Sequence, residues 1–422
     1  MTDAYKLYEI QQSLFARNRD NIKPGLERIY AAARKIGNPQ YSYKTVHVAG
    51  TNGKGSTASM IAKGLIASGE RVGLFTSPHI VFFGERFSIN AETVQAKKWL
   101  EIYGEFENLC EKYELTFFEI STLIAFELFR RENCSWAVLE TGMGGRLDST
   151  NICVPQASVI TTIGIDHTMY LGNTIQEIAN EKLGIVKGEV PLVISGINEE
   201  KIITQAQNYC KERNVNCIVS NLSRIRNVAN SENPPEICLD LKDIYKIAMD
   251  GEFQKVNFIL AVTVLETLGL DMNRKICESV AKTTIPARMH KLKFQDKTLI
   301  LDVAHNPQAM ENFINSLKKE NLKPPICAIL GMMGDKDTKE TVKFIAPIAD
   351  NVFCFTPLTK RAEPADYLAQ TLRDFSAKNV SVCKTATEAL EKSLEAGETI
   401  LVSGSFYTVS QIMTAANAQF SN

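Results

Sequence analysis

The sequence has no excess of either charge sign and no long apolar run. Its 422 residues include 47 Lys and Arg against 48 Asp and Glu, a formal net charge of −1. Proteins that bind nucleic acid usually carry a basic excess to neutralise phosphates, so we expect no nucleic-acid partner. No apolar stretch approaches the roughly 18 residues of a membrane span, and the first residues lack the apolar core of a secretory signal. These absences predict a cytoplasmic protein with no membrane partner.

The sequence also lacks paired cysteines. Its ten cysteines are scattered, and no two of them form a C-x-x-C pair. This spacing excludes a zinc ribbon and a thioredoxin-like motif. Several cysteines, such as Cys327 and Cys354, lie inside apolar runs, which is typical of buried reduced thiols. We therefore expect a protein of a reducing compartment.

Short apolar strands alternate with amphipathic helices along the first part of the chain. Strands are predicted at 45–49, 71–76, 136–140, 157–163 and 191–195, and helices at 3–17, 24–36, 56–68, 92–113, 116–133, 174–186 and 198–213. The segment 221–235 is rich in Asn, Ser and Pro, and we expect a loop there. Such alternation predicts βαβ units and a mostly parallel sheet.

The same alternation restarts after two further predicted helices at 253–268 and 272–283. Strands are predicted near 298–303, 326–331, 351–355, 380–383 and 399–403, each followed by a helix. The pattern therefore predicts an α/β protein of two domains, residues 1–290 and residues 291–422.

A glycine-rich segment links the first strong strand to a helix. Its residues are Gly50, Thr51, Asn52, Gly53, Lys54, Gly55 and Ser56. In this setting backbone N–H groups and the helix N-terminus can surround a phosphate, with Lys54 as the positive charge. The segment departs from G-x-x-x-x-G-K-[ST], since Gly55 stands where a hydroxyl usually binds magnesium. We expect ATP or another nucleotide here, with metal ligands from elsewhere; the alternative is a turn that binds nothing.

Two candidate metal ligands follow neighbouring strands. Glu140 ends the strand at 136–140, and His167 follows the strand at 157–163. Because parallel strands bring their carboxyl ends to one edge, both side chains should emerge there. A carboxylate and an imidazole suit a divalent cation that holds ATP phosphates. The alternative for His167 is a structural hydrogen bond.

Polar residues also cluster after the first strand of the second domain. Asp302, His305 and Asn306 are expected near its carboxyl end, where a paired His and Asp can move a proton or position a substrate. The alternative is a capped turn between strand and helix. Arg288 precedes this strand at the predicted domain junction, from which a guanidinium could reach a phosphate; the alternative is a surface arginine.

Taken in order, these motifs resemble the folylpolyglutamate synthase/dihydrofolate synthase family of the Mur ligase superfamily. The matching segments are HVAGTNGKGS (47–56), TSPH (76–79), GERF (84–87), FEIST (118–122), LETGMGGRLDSTN (139–151), IGIDHT (163–168), EKLGIVK (181–187), PAR (286–288), LDVAHNP (301–307), GMMGDKD (331–337) and SGSFY (403–407). They cover nearly the whole chain. The resemblance implies a P-loop ATPase domain of Mur-ligase type followed by a Rossmann-like glutamate-ligase domain.

The resemblance also implies a role at each matching position. The implied ATP contacts are Gly50, Thr51, Asn52, Gly53, Lys54, Gly55, Ser56, Asn257, Arg288 and Asp302. The implied ligands of two magnesium ions are Ser77, Glu140, His167 and, as a carbamylated lysine, Lys182. The implied folate or pteroate contacts are Pro78, Arg86, Phe118, Arg146 and Asp148, and the implied catalytic residues are Lys54, Lys182, Asp302 and His305.

A few positions differ from the family pattern. Phe253 stands where a histidine is common, Thr141 replaces a valine, Leu183 an alanine and Ala287 a glycine. Phe253 puts one contact to the nucleotide in doubt. None of these changes removes a phosphate-binding or metal-binding group.

The implied activity is ATP-dependent ligation of L-glutamate to folates through an acyl phosphate, and also to dihydropteroate. The alternatives are glutamate extension of folates alone, a Mur-type ligase for another carboxylate, a P-loop switch without ligation, and an inactive binding paralogue. The implied small-molecule partners are ATP, L-glutamate and reduced folates or dihydropteroate, and the family implies a monomer.

Overall fold

The structure is a computed structural model that describes Leu14 and residues 23–227, 236–240 and 243–420. The predicted helix at 3–17 lies outside the described residues except for Leu14, and so does the predicted loop at 221–235 from residue 228 onward. The chain divides into two compact units. The first ends at Ile225 and resumes over Val256–Thr283; the second comprises Arg226–Lys255 and Thr284 onward. The domain boundary at residue 290 stays a prediction.

An eight-stranded sheet forms the centre of the first unit as described. Its strands are β1 (Lys44–Ala49), β2 (Val72–Phe75), β3 (Phe87–Ile89), β4 (Glu92–Thr93), β5 (Trp136–Glu140), β6 (Ala157–Ile160), β7 (Leu192–Ile194) and β8 (Cys217–Val219). They lie in the order β4-β3-β2-β5-β1-β6-β7-β8. All pairs are parallel except those of β3 with β2 and β4. Because β1 lies between β5 and β6, the ends of these three strands are neighbours.

Helices cover this sheet. They are α1 (Glu27–Lys35), α2 (Lys54–Ala67), α3 (Ala96–Lys112), α4 (Phe117–Arg131), α5 (Thr168–Leu171), α6 (Ile175–Leu183), α7 (Glu200–Lys211), α8 (Phe253–Thr267) and α9 (Arg274–Ala281). One core cluster joins β2 and β5 to α1, α3 and α4, and another joins β6 and β7 to α6 and α7. Capping boxes begin α4 at Thr116 and α6 at Thr174, each paired with a glutamate three residues on.

The described residues of the second unit form two sheets. The smaller comprises β9 (Ile225–Asn227, which begins at the unit boundary), β10 (Glu236–Leu239) and β11 (Asp243–Lys246). The larger comprises β12 (His290–Phe294), β13 (Lys297–Leu301), β14 (Ile326–Leu330), β15 (Asn351–Cys354), β16 (Asn379–Val382) and β17 (Thr399–Ser403), in the order β12-β13-β17-β14-β15-β16. Only β12 runs antiparallel to its neighbour within this larger sheet. Its helices are α10 (Pro307–Leu317), α11 (Thr338–Val342), α12 (Ala365–Asp374), α13 (Ala386–Ala396) and α14 (Phe406–Phe420).

These sheets confirm the predicted α/β class with mostly parallel strands. The sequence patterns did not predict β3, β4, β8, β12 or the three-stranded sheet. Strands β3, β4 and β12 pair antiparallel with their neighbours and so lie outside the alternation of strands and helices on which the prediction rests. The ten cysteines are free thiols, and eight of them are buried. Within the described part of the chain, no helix is both long and apolar enough to span a membrane.

Candidate active site

The glycine-rich loop between β1 and α2 has a backbone that only glycine accommodates at two points. Gly50 has φ 154° and Gly53 has φ 83°. A Cβ at Gly50 would lie 1.8 Å from Thr161 Oγ1, and one at Gly53 would lie 2.6 Å from Asn257 Oδ1. The loop therefore depends on glycine for close contact with its neighbours as well as for its φ values.

Two threonines at the end of β6 hold this loop. The hydroxyls of Thr161 and Thr162 donate to the carbonyl of Asn52 at 2.7 and 3.1 Å. The backbone N–H of Thr51 donates to the carbonyl of Thr162 at 2.7 Å. These threonines were not among the predicted site residues, although they lie near the end of a predicted strand, at the sheet edge where the loop was expected.

Lys54 begins α2, as the phosphate-loop hypothesis requires. Its ammonium donates to the carbonyl of Thr51 at 3.2 Å, so the charge lies over the loop. The helix N-terminus adds its own partial positive charge at the same place. Asn257, from α8, lies against Gly53 and approaches the hydroxyl of Thr57 at 3.4 Å. Loop, Lys54 and Asn257 are thus brought together.

Glu140, at the end of β5, lies beside the same helix start. Its side chain is only 3% exposed, and its Oε2 accepts a 2.9 Å hydrogen bond from the backbone N–H of Ser77. A Cβ at Gly55 would lie 3.3 Å from that oxygen. The absence of a side chain at Gly55 therefore leaves the carboxylate facing the loop.

This donor set fits a magnesium ion. Mg²⁺ usually takes one or two protein oxygens and completes its shell with phosphate oxygens and water. The Glu140 carboxylate could supply one such oxygen, and the hydroxyl of Ser77, whose backbone N–H bonds to that carboxylate, a second.

The other two predicted metal ligands have different surroundings. His167 has φ 52° at the start of α5, and its Nε2 lies 4.0 Å from Asp166 Oδ2. Lys182, on α6, is 3% exposed, and its ammonium donates a 2.7 Å hydrogen bond to the carbonyl of Gly50. The structure thus places Lys182 against the glycine-rich loop as a hydrogen-bond donor.

The predicted folate contacts Pro78 and Arg86 lie on the segment between β2 and β3. Pro78 is exposed, whereas Arg86 is buried and donates from Nε to His79 Nδ1 at 2.9 Å. The Arg86 guanidinium lies over the rings of Phe83 and Phe117. Burial, with the Arg86 charge as a smaller cause, lowers the pKa of His79 to about 3. Arg86 therefore faces a neutral imidazole.

The remaining predicted folate contacts surround the loop after β5. The Phe118 ring lies against Gly142, where a Cβ would be only 2.5 Å away. Arg146 is exposed and pairs with Glu181 at 2.8 Å. Asp148 is buried, and both of its oxygens accept hydrogen bonds from its own loop. Burial raises the pKa of Asp148, although those hydrogen bonds oppose the shift.

A second group of predicted residues lies in the second unit. Asp302 is buried and accepts from the backbone N–H groups of Met289 and Ala304, each at 2.9 Å. Burial raises its pKa, and the charge of Arg288 opposes that shift. His305 Nδ1 lies 2.9 Å from the carbonyl of Val303, so the nitrogen must be the donor.

Phe406 lies in the matching segment SGSFY but was given no role in the sequence analysis, and its ring lies between His305 and Arg288 in this group. Its ring centroid lies 6.0 Å from that of His305 and 5.5 Å from the Arg288 guanidinium. Asn306 caps α10 by accepting a 2.9 Å hydrogen bond from the N–H of Ala309. This is the capped turn that the sequence analysis gave as the alternative.

The structure shows the surroundings of two residues that differ from the family pattern, Phe253 and Ala287. Phe253, where a histidine was expected, packs against the apolar core of the second unit and over Gly251. Ala287, where a glycine was expected, is fully buried with φ 57°, the left-handed region that glycine favours. The alanine therefore occupies a conformation that is strained for its side chain.

Two protein families and several known proteins are similar to this chain. Residues 48–265 match the family described as Mur ligase middle domain, and residues 287–406 match the family described as Mur ligase, glutamate ligase domain. A dihydrofolate synthase/folylpolyglutamate synthase of Buchnera aphidicola is 31% identical over 410 residues, which cover 96% of this chain and 94% of that protein.

Solved structures of folylpolyglutamate synthases are also similar to this chain. Mycobacterium tuberculosis folylpolyglutamate synthase complexed with ADP has a TM-score of 0.89 and 28% identity, covering 98% of each chain. A bifunctional folylpolyglutamate synthase/dihydrofolate synthase with Mn, AMPPNP and L-glutamate bound has a TM-score of 0.83 and 26% identity, covering 97% of this chain and 98% of that chain.

Proposed function

Since this chain belongs to the dihydrofolate synthase/folylpolyglutamate synthase family of Mur ligases, we propose that its glycine-rich loop and Glu140 form the ATP site of a glutamate ligase. The chain is an ATP-dependent ligase that joins L-glutamate to folates. The observation that carries the site assignment is the carboxylate of Glu140 beside Gly55, at the start of the helix that follows the loop.

The reaction needs activation of the folate carboxylate. A carboxylate does not condense with an amine at neutral pH, so ATP first phosphorylates it to an acyl phosphate, and the amine of L-glutamate then attacks the carbonyl carbon. Phosphoryl transfer depends on positioning and on neutralising charge. The loop N–H groups and Lys54 are suited to both tasks, because they lie at one helix N-terminus.

Magnesium would be held beside this loop by Glu140 and Ser77, with His167 and Lys182 as the further proposed ligands. When bound, it would neutralise phosphate charge during transfer. Ser77 and Glu140 are already linked through the Ser77 N–H. Lys182 would need to lose its positive charge, as carbamylation does, before it could act as a ligand.

In the second unit, Arg288 and Asp302 remain the proposed nucleotide contacts, and His305 the residue that assists loss of the glutamate proton. The Nδ1–H of His305 is committed to the carbonyl of Val303, which leaves Nε2 as the basic nitrogen of the neutral ring. A basic nitrogen is what acceptance of a proton from an ammonium requires.

We propose that dihydropteroate is also a substrate, so that the enzyme adds both the first glutamate and later ones. The GRLDSTN segment at 145–151, with Arg146 and Asp148, supports this proposal by resemblance to bifunctional members. The alternative is extension of existing folates alone.

The test is phosphate release with ATP, magnesium and L-glutamate, run separately with dihydropteroate and with tetrahydrofolate. Turnover with both acids would establish the bifunctional enzyme. Turnover with tetrahydrofolate alone would make it a polyglutamylase, and none with either would favour a Mur-type ligase for another carboxylate or an inactive paralogue. A P-loop switch would instead hydrolyse ATP without glutamate.

A further inference from the structure

A chain of hydrogen bonds runs from the middle of β1 to the loop that follows β5. His47 Nε2 lies 2.7 Å from Thr150 Oγ1, and that hydroxyl lies 2.6 Å from Asp148 Oδ1. All three residues are buried. Asp148 Oδ2 then accepts from the backbone N–H groups of Gly142 and Met143 at 2.8 and 2.9 Å. The network links a strand side chain to the first residues of the loop.

The direction of each bond follows from the chemistry of the acceptors. A carboxylate accepts only, so the Thr150 hydroxyl donates its proton to Asp148. The hydroxyl oxygen must then accept from His47, which fixes the proton of the neutral ring on Nε2. Among the described residues, Nδ1 has no hydrogen-bond partner. Burial, with a smaller contribution from Lys187, lowers the pKa of His47 to about 3, so the ring stays neutral.

A second buried bond holds the same turn from the helix side. The hydroxyls of Thr122, on α4, and Ser149 lie 2.6 Å apart. The turn Ser149–Ile152 is therefore fixed by one side chain from β1 and one from α4. The loop fixed by these bonds begins directly after Glu140 and contains Arg146.

We propose that His47 is a positioning residue that holds loop 141–148, through Thr150 and Asp148, in the shape that binds the folate or pteroate substrate. The proposal rests on the proposed function for the identity of that substrate. It also gives Asp148 an indirect part, since the N–H groups of Gly142 and Met143 and the N–H and hydroxyl of Thr150 occupy its two oxygens. The position of Glu140 does not depend on His47, because strand pairing of β5 with Val48 of β1 holds Glu140 in place. Loss of His47 should therefore affect the acid substrate more than ATP.

The experiment compares three variants of the full chain. His47→Leu removes the donor, and His47→Gln places an amide N–H where Nε2 stood. Thr45→Val is the matched control, since Thr45 lies on the same face of β1 and its buried hydroxyl has no partner among the described residues. The measurements are KM for tetrahydrofolate, dihydropteroate and ATP, together with hydrogen exchange at the Gly142 and Met143 amides.

For His47→Leu we expect KM for the acid substrate to rise about tenfold, the worth of one buried hydrogen bond, with KM for ATP changed less than about twofold. Amide exchange at Gly142 and Met143 should accelerate by a similar factor. His47→Gln should restore both quantities, and Thr45→Val should leave both unchanged.

An unchanged KM for the acid in folded His47→Leu would overturn the proposal, as would equal increases for acid and ATP. If the unmodified enzyme turned over neither acid, the proposed function would fail. Amide exchange at Gly142 and Met143 would still decide whether His47 holds the loop. Faster exchange in His47→Leu would support this role of His47, and unchanged exchange would overturn it.

Discussion

The ammonium nitrogen of Lys182 lies 2.7 Å from the carbonyl oxygen of Gly50, the first residue of the glycine-rich loop. Both residues are buried, so removal of the Lys182 ammonium would take a donor from the Gly50 carbonyl. The bond ties α6 to the end of β1. Carbamylation of Lys182 would remove its positive charge and leave one N–H on Nζ to donate in this bond.

Lys182→Met should lower the free energy of unfolding by about 1–3 kcal/mol, because the buried carbonyl of Gly50 loses its donor. Chemical denaturation measures this loss. Lys211→Met, at the exposed end of α7, is the control and should stay within about 0.5 kcal/mol of the unmodified protein. Equal stability of both variants would show that the bond to Gly50 contributes nothing. The intact mass of the purified protein shows separately whether Lys182 carries an added CO2.

Lys54→Ala should reduce glutamate-dependent phosphate release by about a hundredfold or more, because a charge aimed at the transferred phosphate is lost. The melting temperature should barely change, since the Lys54 side chain is only partly buried. Lys63→Ala, on the same helix, is the matched control and should retain turnover. His167→Ala should likewise abolish turnover in a folded protein. Near-normal rates in either variant would contradict its assignment to the site.

Stability should fall as the pH drops below about 6.5, because His47 and His79 have pKa values of about 3 in the folded protein and ordinary values in the unfolded chain. Between about pH 3 and pH 6.5, the unfolded chain binds protons on these histidines that the folded protein does not bind. The free energy of unfolding therefore rises with pH over this range. Each histidine contributes up to about 1.4 kcal/mol per pH unit. Denaturation at several pH values should show a shallower slope for His47→Gln. The same slope in that variant would argue against a buried neutral His47.

Ala287→Gly should raise the free energy of unfolding by up to about 1 kcal/mol. A left-handed backbone costs a non-glycine residue about 1–2 kcal/mol, while glycine loses about 0.5–1 kcal/mol through its greater freedom when unfolded. Ala281→Gly, near the end of α9, makes the same change in a helical backbone and should lower stability by about 1 kcal/mol. The melting temperature should therefore rise in Ala287→Gly and fall in Ala281→Gly. A loss of stability in both would show that the φ of 57° at Ala287 carries no strain.

Thr141→Val should raise the free energy of unfolding by about 1 kcal/mol or more, because its buried hydroxyl has no hydrogen-bond partner in the described part of the chain. Thr122→Val removes a buried hydroxyl that bonds both Ser149 and the carbonyl of Phe118, and should lower stability by a similar amount. The two substitutions have the same size and shape, so denaturation compares only the hydroxyls. A stability loss at Thr141 would mean that its hydroxyl has a partner in solution.

Much of the candidate site could be predicted from local sequence. The strand at Lys44–Ala49 and the helix from Lys54 flank the loop as predicted, because hydrophobic alternation and a glycine-rich turn act over neighbouring residues. Glu140 reaches the same place because parallel strands bring their carboxyl ends to one edge. The individual roles of these residues in catalysis stay predictions.

Other features could not be predicted. The strands β3, β4 and β12 form by antiparallel pairing with neighbouring strands, and so they lie outside the alternation of strands and helices along the chain. Asp148 was predicted as a substrate contact from its motif. Its hydrogen bonds to Gly142, Met143 and Thr150 emerge only when the loop folds back on itself.

The sequence by itself determined the α/β class, the glycine-rich turn between strand and helix, and the family, because these rest on the order and spacing of residues along the chain. Only the tertiary structure decided the partner of Lys182, the proton position on His47 and the strain at Ala287. Those properties depend on burial and on contacts between residues far apart in sequence, where a buried polar group must find a donor or acceptor or lose stability.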